Sequence, residues 1–593
     1  MRRWLVRSLA FALVAGLVVL ASQVAAYADA GPHGPATATG SGGAAATVDT
    51  LATQAAVDTL RGGGNAVDAA VTAAAVLGVT EPFSSGIGGG GFMVIYRASD
   101  GKVTTIDGRE RAPVAMRPDA FWEKGKPLTF DDARFSGLSV GVPGTVESWD
   151  EALSRYGTIS LAAALQPAIR VARNGFVVDQ TFFDQTQQNV DYFDDVPSSA
   201  ALYLDPDGTP RDVGTVLRNP DLASAYERLA HLGPKGFYSG AVADALVNAV
   251  RHPPISGTAN HTWRPGLMTL RDLKAYGAPE RAPTHLGYRG LDVYGMGPPS
   301  SGGSTVGEAL NILEGYPLST MTREEALHYY LEASRFSFAD RNAYLADPAY
   351  VDVPLTGLLS DGFAARRRDA IKETAAVSPV PPGDPYPFNG GGGATAQATT
   401  TDTRPGTTTH ITTADRAGDV VSYTFTIEST GGAGMVVPGF GFLVNNELTD
   451  FNYDSLTHPN RVEGGKRPRS SMSPTIVLRD GEPFLAVGSP GGSTIITTVL
   501  QILVDRLDLG LTLPQAIGDP RLSQRNTPTT QTEPAFLTTP EASALVARGH
   551  AFSTTPEIGA ATGIEFVGGG QLLAAAEPVR RGGGSAMVTD PAP

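Results

Sequence analysis

Late in the chain two alternating runs flank an Asp/Gly turn. Thr408-Thr409-His410-Ile411-Thr412-Thr413 leads into Asp415-Arg416-Ala417-Gly418-Asp419, and then into Val421-Ser422-Tyr423-Thr424-Phe425-Thr426-Ile427-Glu428. Period-two alternation around such a turn reads as a β-hairpin. With the turn centred on Ala417, Thr409 faces Phe425 and Ile411 faces Tyr423, which makes one face apolar. Thr408 then faces Thr426, and Thr412 faces Ser422, on a polar face. Directly opposed residues sit about 4.5–5.5 Å apart at Cβ, so the Thr408 and Thr426 hydroxyls come close. Two readings stay open on spacing alone: an ordinary Thr-rich hairpin, or a pair of hydroxyls that work together.

The stretch just before the hairpin bears on that choice. Residues 377–407 carry Pro379, Pro381, Pro382, Pro385 and Pro387, then Gly390 to Gly393, then a Thr/Ala-rich run. That is the composition of an exposed linker. A flexible segment ending at the first Thr of a hairpin suits the precursor of an N-terminal-threonine hydrolase. Cutting the bond before Thr408 frees its α-amino group, whose unperturbed pKa of about 7.7–8.0 lets it take the proton of the hydroxyl. One residue then supplies both nucleophile and base.

The other end of the chain reads as an export signal. Met1-Arg2-Arg3 and Arg7 precede an apolar run from Leu9 to Ala21, and Ala26-Tyr27-Ala28 is a small-x-small cleavage site. The run is short of the ~20 residues that span a bilayer, so residues 1–28 read as a removable signal peptide rather than an anchor. The expected product is secreted, free of the membrane, with a mobile Gly/Ala/Thr-rich segment at 29–47. With no cysteine in its 593 residues, it has no disulfides, thiolate metal sites or Cys nucleophile. The net charge of −15 gives no basic footprint for nucleic acid. The 41% hydrophobic content suffices for a sizeable core, and 70 Gly with 44 Pro imply many tight turns.

Helical patterns recur near 48–61, 65–77, 146–156, 160–173, 219–232, 239–250, 304–315, 323–346, 493–509 and 540–548, and the chain turns β-rich after 408. The coarse picture is a helical first part, a linker and a strand-rich second part. Gly86-Ile87-Gly88-Gly89-Gly90-Gly91 matches a dinucleotide fingerprint, but it follows a helix and precedes a strand, the wrong order. Gly137-Leu138-Ser139-Val140-Gly141 matches a hydrolase elbow, but Pro143-Gly144 interrupts the helix it needs. The nine histidines form no zinc spacing, and a lone His410 on a strand reads as structural before it reads as a base.

Seven stretches, the start of the hairpin among them, resemble the γ-glutamyltransferase (γ-glutamyl transpeptidase) family of N-terminal nucleophile hydrolases. They are Gly62 to Ala70; Glu81-Pro82 with Ser85 to Phe92; Asp107-Gly108-Arg109-Glu110-Arg111-Ala112-Pro113; Thr408-Thr409-His410; Asn445 to Phe451; Arg467 to Thr475; and Gly488-Ser489-Pro490-Gly491-Gly492-Ser493. The resemblance spans about 48 to 590 and implies an α/β (α+β) fold, a four-layer αββα sandwich. It implies self-cleavage between Thr407 and Thr408 into a large chain 48–407 with its N-terminal segment and a small chain 408–593, which stay together as a heterodimer. Thr408 would attack a γ-glutamyl carbonyl, Thr426 would hold Thr408, and the N–H groups of Gly491 and Gly492 would form the oxyanion hole. Arg109, Ser470 and Ser471 would take the substrate α-carboxylate; Glu428, Glu447 and Asp450 would take its α-ammonium. Glu428 is Asn in some relatives. Arg469 stands where relatives usually carry an apolar residue. Arg109 is the only positive side chain among those assigned to the pocket.

The expected activity is therefore a secreted, autoprocessed γ-glutamyl hydrolase/transpeptidase that cleaves glutathione and other γ-glutamyl compounds. It passes the acyl group to water or to amino-acid and peptide acceptors, with no metal or organic cofactor. The alternatives are a cephalosporin (glutaryl) acylase or other amidohydrolase of the same family, which shares Thr408 but not the α-amino pocket, and a catalytically dead solute-binding protein. Only 19 residues, 451–469, separate Asp450 from Ser470. They read as a short polar surface connection, too brief for a folded lid.

Overall fold

The computed structural model describes residues 34–391 and 406–592. The proposed signal peptide lies outside them. Both runs of the hairpin are strands, Thr409–Asp415 and Val420–Thr426, paired in the predicted register: Thr409 with Phe425, Ile411 with Tyr423, Thr412 with Ser422. Val420–Thr426 pairs next with Gly90–Arg97, and that strand with Lys102–Asp107. A second group runs Gln571–Ala576, Thr562–Gly568, Glu482–Gly488, Thr475–Arg479, Leu291–Gly295 and Thr284–Tyr288.

One strand belongs to both groups. Thr37–Thr47 pairs through its first half with Gln571–Ala576, through its second half with Thr409–Asp415, and along its other edge with Ser585–Pro591. The mobile segment expected at 29–47 is corrected here: from Thr37 onward it is a strand, and Ala44, Ala45 and Ala46 are fully buried. The composition that suggests mobility also gives side chains small enough to sit where two sheets converge.

The apolar face of the hairpin packs under helices. Ile411, Val421, Tyr423 and Phe425 share a core with Met93, Ile95 and helices Thr50–Arg61 and Ala66–Thr80. The latter is buried along its whole length, starts at an Asn65–Asp68 capping box, and is small enough in side chain to press against the sheet. On the far side, Val477, Leu485 and Ile564 share a core with helices Gly302–Leu313, Arg323–Tyr344 and Thr494–Leu507. The order helix, sheet, sheet, helix is the expected αββα sandwich.

The polar face of the hairpin is turned toward the second sheet. Ser422 donates to Val487 O at 3.2 Å, and the His410 ring lies where a Cβ on Gly488 would come within 2.2 Å of it. Threonines and serines here bridge two sheets; they are not solvated. The expected division into a helical part and a strand-rich part is also revised, since 34–391 supplies strands to both sheets. The linker expected to be exposed is docked over its proline-rich half. Asn526 bonds both N–H and C=O of Val380, Asp340 Oδ1 accepts from Gly383 N–H at 2.5 Å, and Tyr386 and Phe388 pack on Phe363 and Tyr344. Residues 392–405 lie outside the described residues.

Candidate active site

The hairpin register brings Thr408 and Thr426 together at the open end of the strands, each only 3% exposed. The two hydroxyls converge on one acceptor. Thr408 Oγ1 is 2.5 Å from the carbonyl oxygen of Thr407 and 3.4 Å from Thr426 Oγ1. Thr426 Oγ1 donates to that same carbonyl at 2.7 Å and accepts the N–H of Glu428 at 2.8 Å. Thr407 is held in turn by its N–H, which donates to Glu428 O at 2.7 Å. The uncut chain thus presents the bond between Thr407 and Thr408 with its carbonyl polarised and a hydroxyl against it. Glu428, the hub of these contacts, has φ +82, a left-handed backbone in a non-glycine residue.

Gly491 and Gly492 lie between strand Glu482–Gly488 and helix Thr494–Leu507, with φ +133 and +57. Neither N–H has an acceptor among the described residues. Both stand at a helix N-terminus, where unsatisfied N–H groups and the helix dipole favour a negative oxygen. The scissile segment lies against them: a Cβ on Gly406 would come within 2.9 Å of Gly492 Cα.

A cleft next to Thr408 gathers the other predicted residues. Arg109, Glu428, Glu447, Asp450, Ser470, Ser471 and Gly492 line it together with Thr408 and Thr426. Arg109 is fully buried and already engaged. Its guanidinium pairs with Glu447 and Asp450, and its Nε and Nη2 donate to the carbonyls of Pro468 and Arg469 at 3.1 and 3.0 Å. So the residues assigned to opposite ends of the substrate touch each other. Glu428 accepts from the Ser429 hydroxyl at 2.5 Å and from the Asn446 side-chain amide. Arg134 lies close enough for their charges to interact.

The expectation that Arg109 is the pocket's only positive side chain is corrected, because Arg341 and Arg469 also line it. Arg341 donates to Ser471 Oγ at 2.6 Å and Ser301 Oγ at 2.9 Å. It sits in the last turn of helix Arg323–Tyr344 with no local motif; the one signal in the sequence is the density of charge in a helix that proves buried. Arg469 gains a role: its guanidinium reaches the carbonyls of Arg341 and Leu345, at 3.4 and 3.5 Å, near the C-terminus of that helix. A cation there complements the helix dipole.

Residues 451–469 do not form a polar surface connection. Phe451, Val462, Asn460 and Lys466 are fully buried, and Phe451, Tyr453 and Val462 pack on Met116 and Phe121. The segment is a packed wall beside the cleft, and none of 451–468 lines it. Neither rejected motif has the structure its function needs, although Gly90 pairs with Thr426 in the neighbouring strand. Ser139 donates to the carbonyls of Arg134 and Ser136 within a short 3-10 turn, and no helix follows Gly86–Gly91. His410 lies within the inter-sheet layer, hydrogen-bonded to Thr424, and burial pushes its pKa down to about 3, so it stays neutral.

Known proteins match this chain over most of its length. The Gamma-glutamyltranspeptidase family model matches residues 52–587. The glutathione hydrolase proenzyme of Bacillus subtilis strain 168 is 38% identical over 524 residues, 87% of this chain and 86% of its own. That of Escherichia coli K12 is 36% identical over 551 residues, 90% of each. Among solved structures, a cephalosporin acylase from Bacillus halodurans superposes with TM-score 0.81 at 29% identity, covering 94% of this chain and 98% of the other. The span of these matches and the shared fold, carrying a buried threonine pair at the open end of its hairpin, establish that the chain belongs to the gamma-glutamyltranspeptidase family.

Proposed function

We propose that the protein is an exported, self-cleaving γ-glutamyl hydrolase/transpeptidase. In the precursor, Thr408 Oγ attacks the carbonyl carbon of Thr407 while the Thr426 hydroxyl donates to the oxygen that gains charge. The C–N bond breaks, the Thr408 nitrogen takes the proton, and water hydrolyses the Thr407–Thr408 ester. The free α-amine of Thr408 then accepts the hydroxyl proton as Oγ attacks a γ-glutamyl carbonyl, with Gly491 and Gly492 N–H groups on the oxyanion. The amine passes that proton to the departing amine. Water or an acceptor amine resolves the γ-glutamyl-Thr408 ester.

The observation that carries this reading is the charge balance of the cleft beside the nucleophile. Arg109, Arg341 and Arg469 face Glu428, Glu447 and Asp450. A balanced set suits a head group bearing both an ammonium and a carboxylate. A glutaryl group brings a carboxylate alone and adds an uncompensated anion to a set of side chains already balanced among themselves, whereas the ammonium of a glutamyl group offsets its own carboxylate; this counts against the acylase alternative despite the likeness to a cephalosporin acylase. An uncompensated buried charge is costly.

The test is one gel with N-terminal sequencing, followed by turnover of γ-glutamyl and glutaryl anilides. Wild-type protein separates into two chains, the smaller beginning at Thr408, and favours the γ-glutamyl anilide. Thr408→Ala stays one chain and is inactive. An active, uncut Thr408→Ala protein sinks the mechanism; preference for the glutaryl anilide transfers the reading to an acylase.

A further inference from the structure

Arg581 contacts the nucleophilic residue from a part of the chain to which no role has been assigned. It sits in a tight turn between strands Gln571–Ala576 and Ser585–Pro591, with left-handed φ +54 and ψ 35, and its N–H donates to Glu557 Oε2 at 2.9 Å. Its side chain, 11% exposed, reaches three partners at once. Nη1 donates to the main-chain oxygen of Thr408 at 2.7 Å, and Nη2 to Ser84 Oγ at 2.5 Å. Nη2 also pairs with Glu81 Oε2 at 3.2 Å. Ser84 in turn is 3.2 Å from Thr407 Oγ1, across the scissile bond. Glu81 and Ser84 belong to the turn that closes helix Ala66–Thr80.

We propose that Arg581 is a positioning residue: it fixes Thr408 by its carbonyl and, after self-cleavage, holds the new α-amino group in the neutral form that accepts a proton. The inference rests on the reading of Thr408 as an N-terminal nucleophile. Within a residue the nitrogen and carbonyl oxygen are at most about 3.6 Å apart, so the guanidinium lies within about 6 Å of the amine nitrogen. A fixed positive charge there disfavours the ammonium. An unassisted α-amine, with a pKa of about 7.7–8.0, is mostly protonated at pH 7 and idle as a base.

Opposing charges surround the pair. Glu81 is the nearest carboxylate, with Asp179 and Asp49 close enough to act on it. Glu557 bonds the Arg581 N–H. Glu428 stands on the cleft side with Arg134 beside it, while Glu447 and Asp450 are engaged by Arg109; Arg341 and Arg469 complete the wall. Burial first, then Asp179 and Asp49, raise Glu81 to about 7 against the pull of Arg581. Near neutrality Glu81 therefore carries only part of its charge, whereas a guanidinium keeps all of it.

The experiment compares wild type, Arg581→Gln, Arg581→Lys and Glu81→Gln. Self-cleavage is followed by gel, and kcat and KM for a γ-glutamyl anilide are measured from pH 5 to 10 on cleaved protein. Arg581→Gln should move the acid limb of kcat upward by about 0.5–2 pH units, the range for one charge at that distance between watery and protein-like screening. At pH 6.5 its kcat falls about 3- to 100-fold, KM changes little, and the rate recovers in alkali. Arg581→Lys restores part of the shift, and Glu81→Gln moves the limb down. A cleaved Arg581→Gln protein with an unshifted limb, or with the same loss at every pH, overturns the inference. If Arg581→Gln stays uncut, Glu81→Gln decides: an unmoved limb overturns it. Failure of wild-type protein to cut at Thr408 would instead overturn the underlying reading.

Discussion

At the scale of single residues, Arg109 is central to the cleft. Its guanidinium is spread over Glu447, Asp450 and two main-chain carbonyls, and Glu447 is fully buried. Removing it strands a buried carboxylate, which typically costs about 3–5 kcal/mol. Arg109→Ala should therefore lower the melting temperature and also weaken use of γ-glutamyl anilides about 10- to 100-fold. Arg109→Lys should rescue neither, because a point charge cannot serve four acceptors in a plane. The fraction that folds should still cut itself at Thr408, since no substrate is needed. Melting curves with steady-state kinetics check this; an unchanged melting temperature with a raised KM would mean that Arg109 serves the substrate alone. Thr408, Thr426 and Arg109 were legible in the sequence through pattern and resemblance. That Arg109 pairs with Glu447 was not, because nothing in the spacing of two residues 338 apart says that they meet. Arg341 and Arg581 carry no motif at all and are recognisable only from what they touch.

At the scale of elements, the hairpin and most helices were legible because their periodicity is local. Helix Ala66–Thr80 and helix Thr494–Leu507 fall within a few residues of expectation. What sequence reading missed were elements whose order comes from distant partners. Thr37–Thr47 has weak strand composition and becomes a strand only because Gln571–Ala576, Ser585–Pro591 and Thr409–Asp415 all pair with it. Deleting 34–47 should therefore prevent soluble folding and self-cleavage, whereas deleting 29–33 should leave both intact; expression with a cleavage gel tells them apart, and normal processing without 34–47 would refute the shared-strand role. The segment 451–469 reads as a surface connection for the same reason: its polar residues are buried by partners elsewhere in the chain. Its burial as a wall keeps it off the cleft. With 451–468 off the cleft, this segment supplies no lid, and the acyl-enzyme is open on that side to water and to bulky groups. Substantial hydrolysis should therefore accompany transfer, and large γ-linked donors such as poly-γ-glutamate should be accepted. Normal glutathione turnover with no release of glutamate from the polymer would show that another part of the chain covers the cleft.

At the scale of the whole molecule, buried ionisable groups set a pH window for stability. Burial pushes His410, His458 and His550 from 6.5 down to about 3. Between these values the unfolded chain binds protons that the folded one refuses, so folding loses stability as pH falls through that interval. Burial pushes Asp49 from 3.8 up to about 6, Glu81 from 4.5 to about 7 and Glu110 from 4.5 to about 8. There the folded chain binds the extra protons, so stability falls as pH rises from the unfolded values to the folded ones. The two sets oppose each other between about pH 3.8 and 6.5. Below that only the histidines act, and above it only the carboxylates, up to about pH 8. Stability should therefore peak in weak acid and decline toward pH 8. Glu110 gives the sharpest handle: it is fully buried and neither carboxylate oxygen has a hydrogen-bond partner among the described residues, so it is held protonated. Glu110→Gln keeps the shape and removes the titration, and should flatten part of the decline above pH 6.5. Melting temperatures of the uncut Thr408→Ala protein and its Glu110→Gln derivative, taken from pH 3 to 9, measure both effects. A melting temperature that climbs steadily through pH 8 in the parent would show that the carboxylates are paid for by partners formed only on folding, and the window would be wrong.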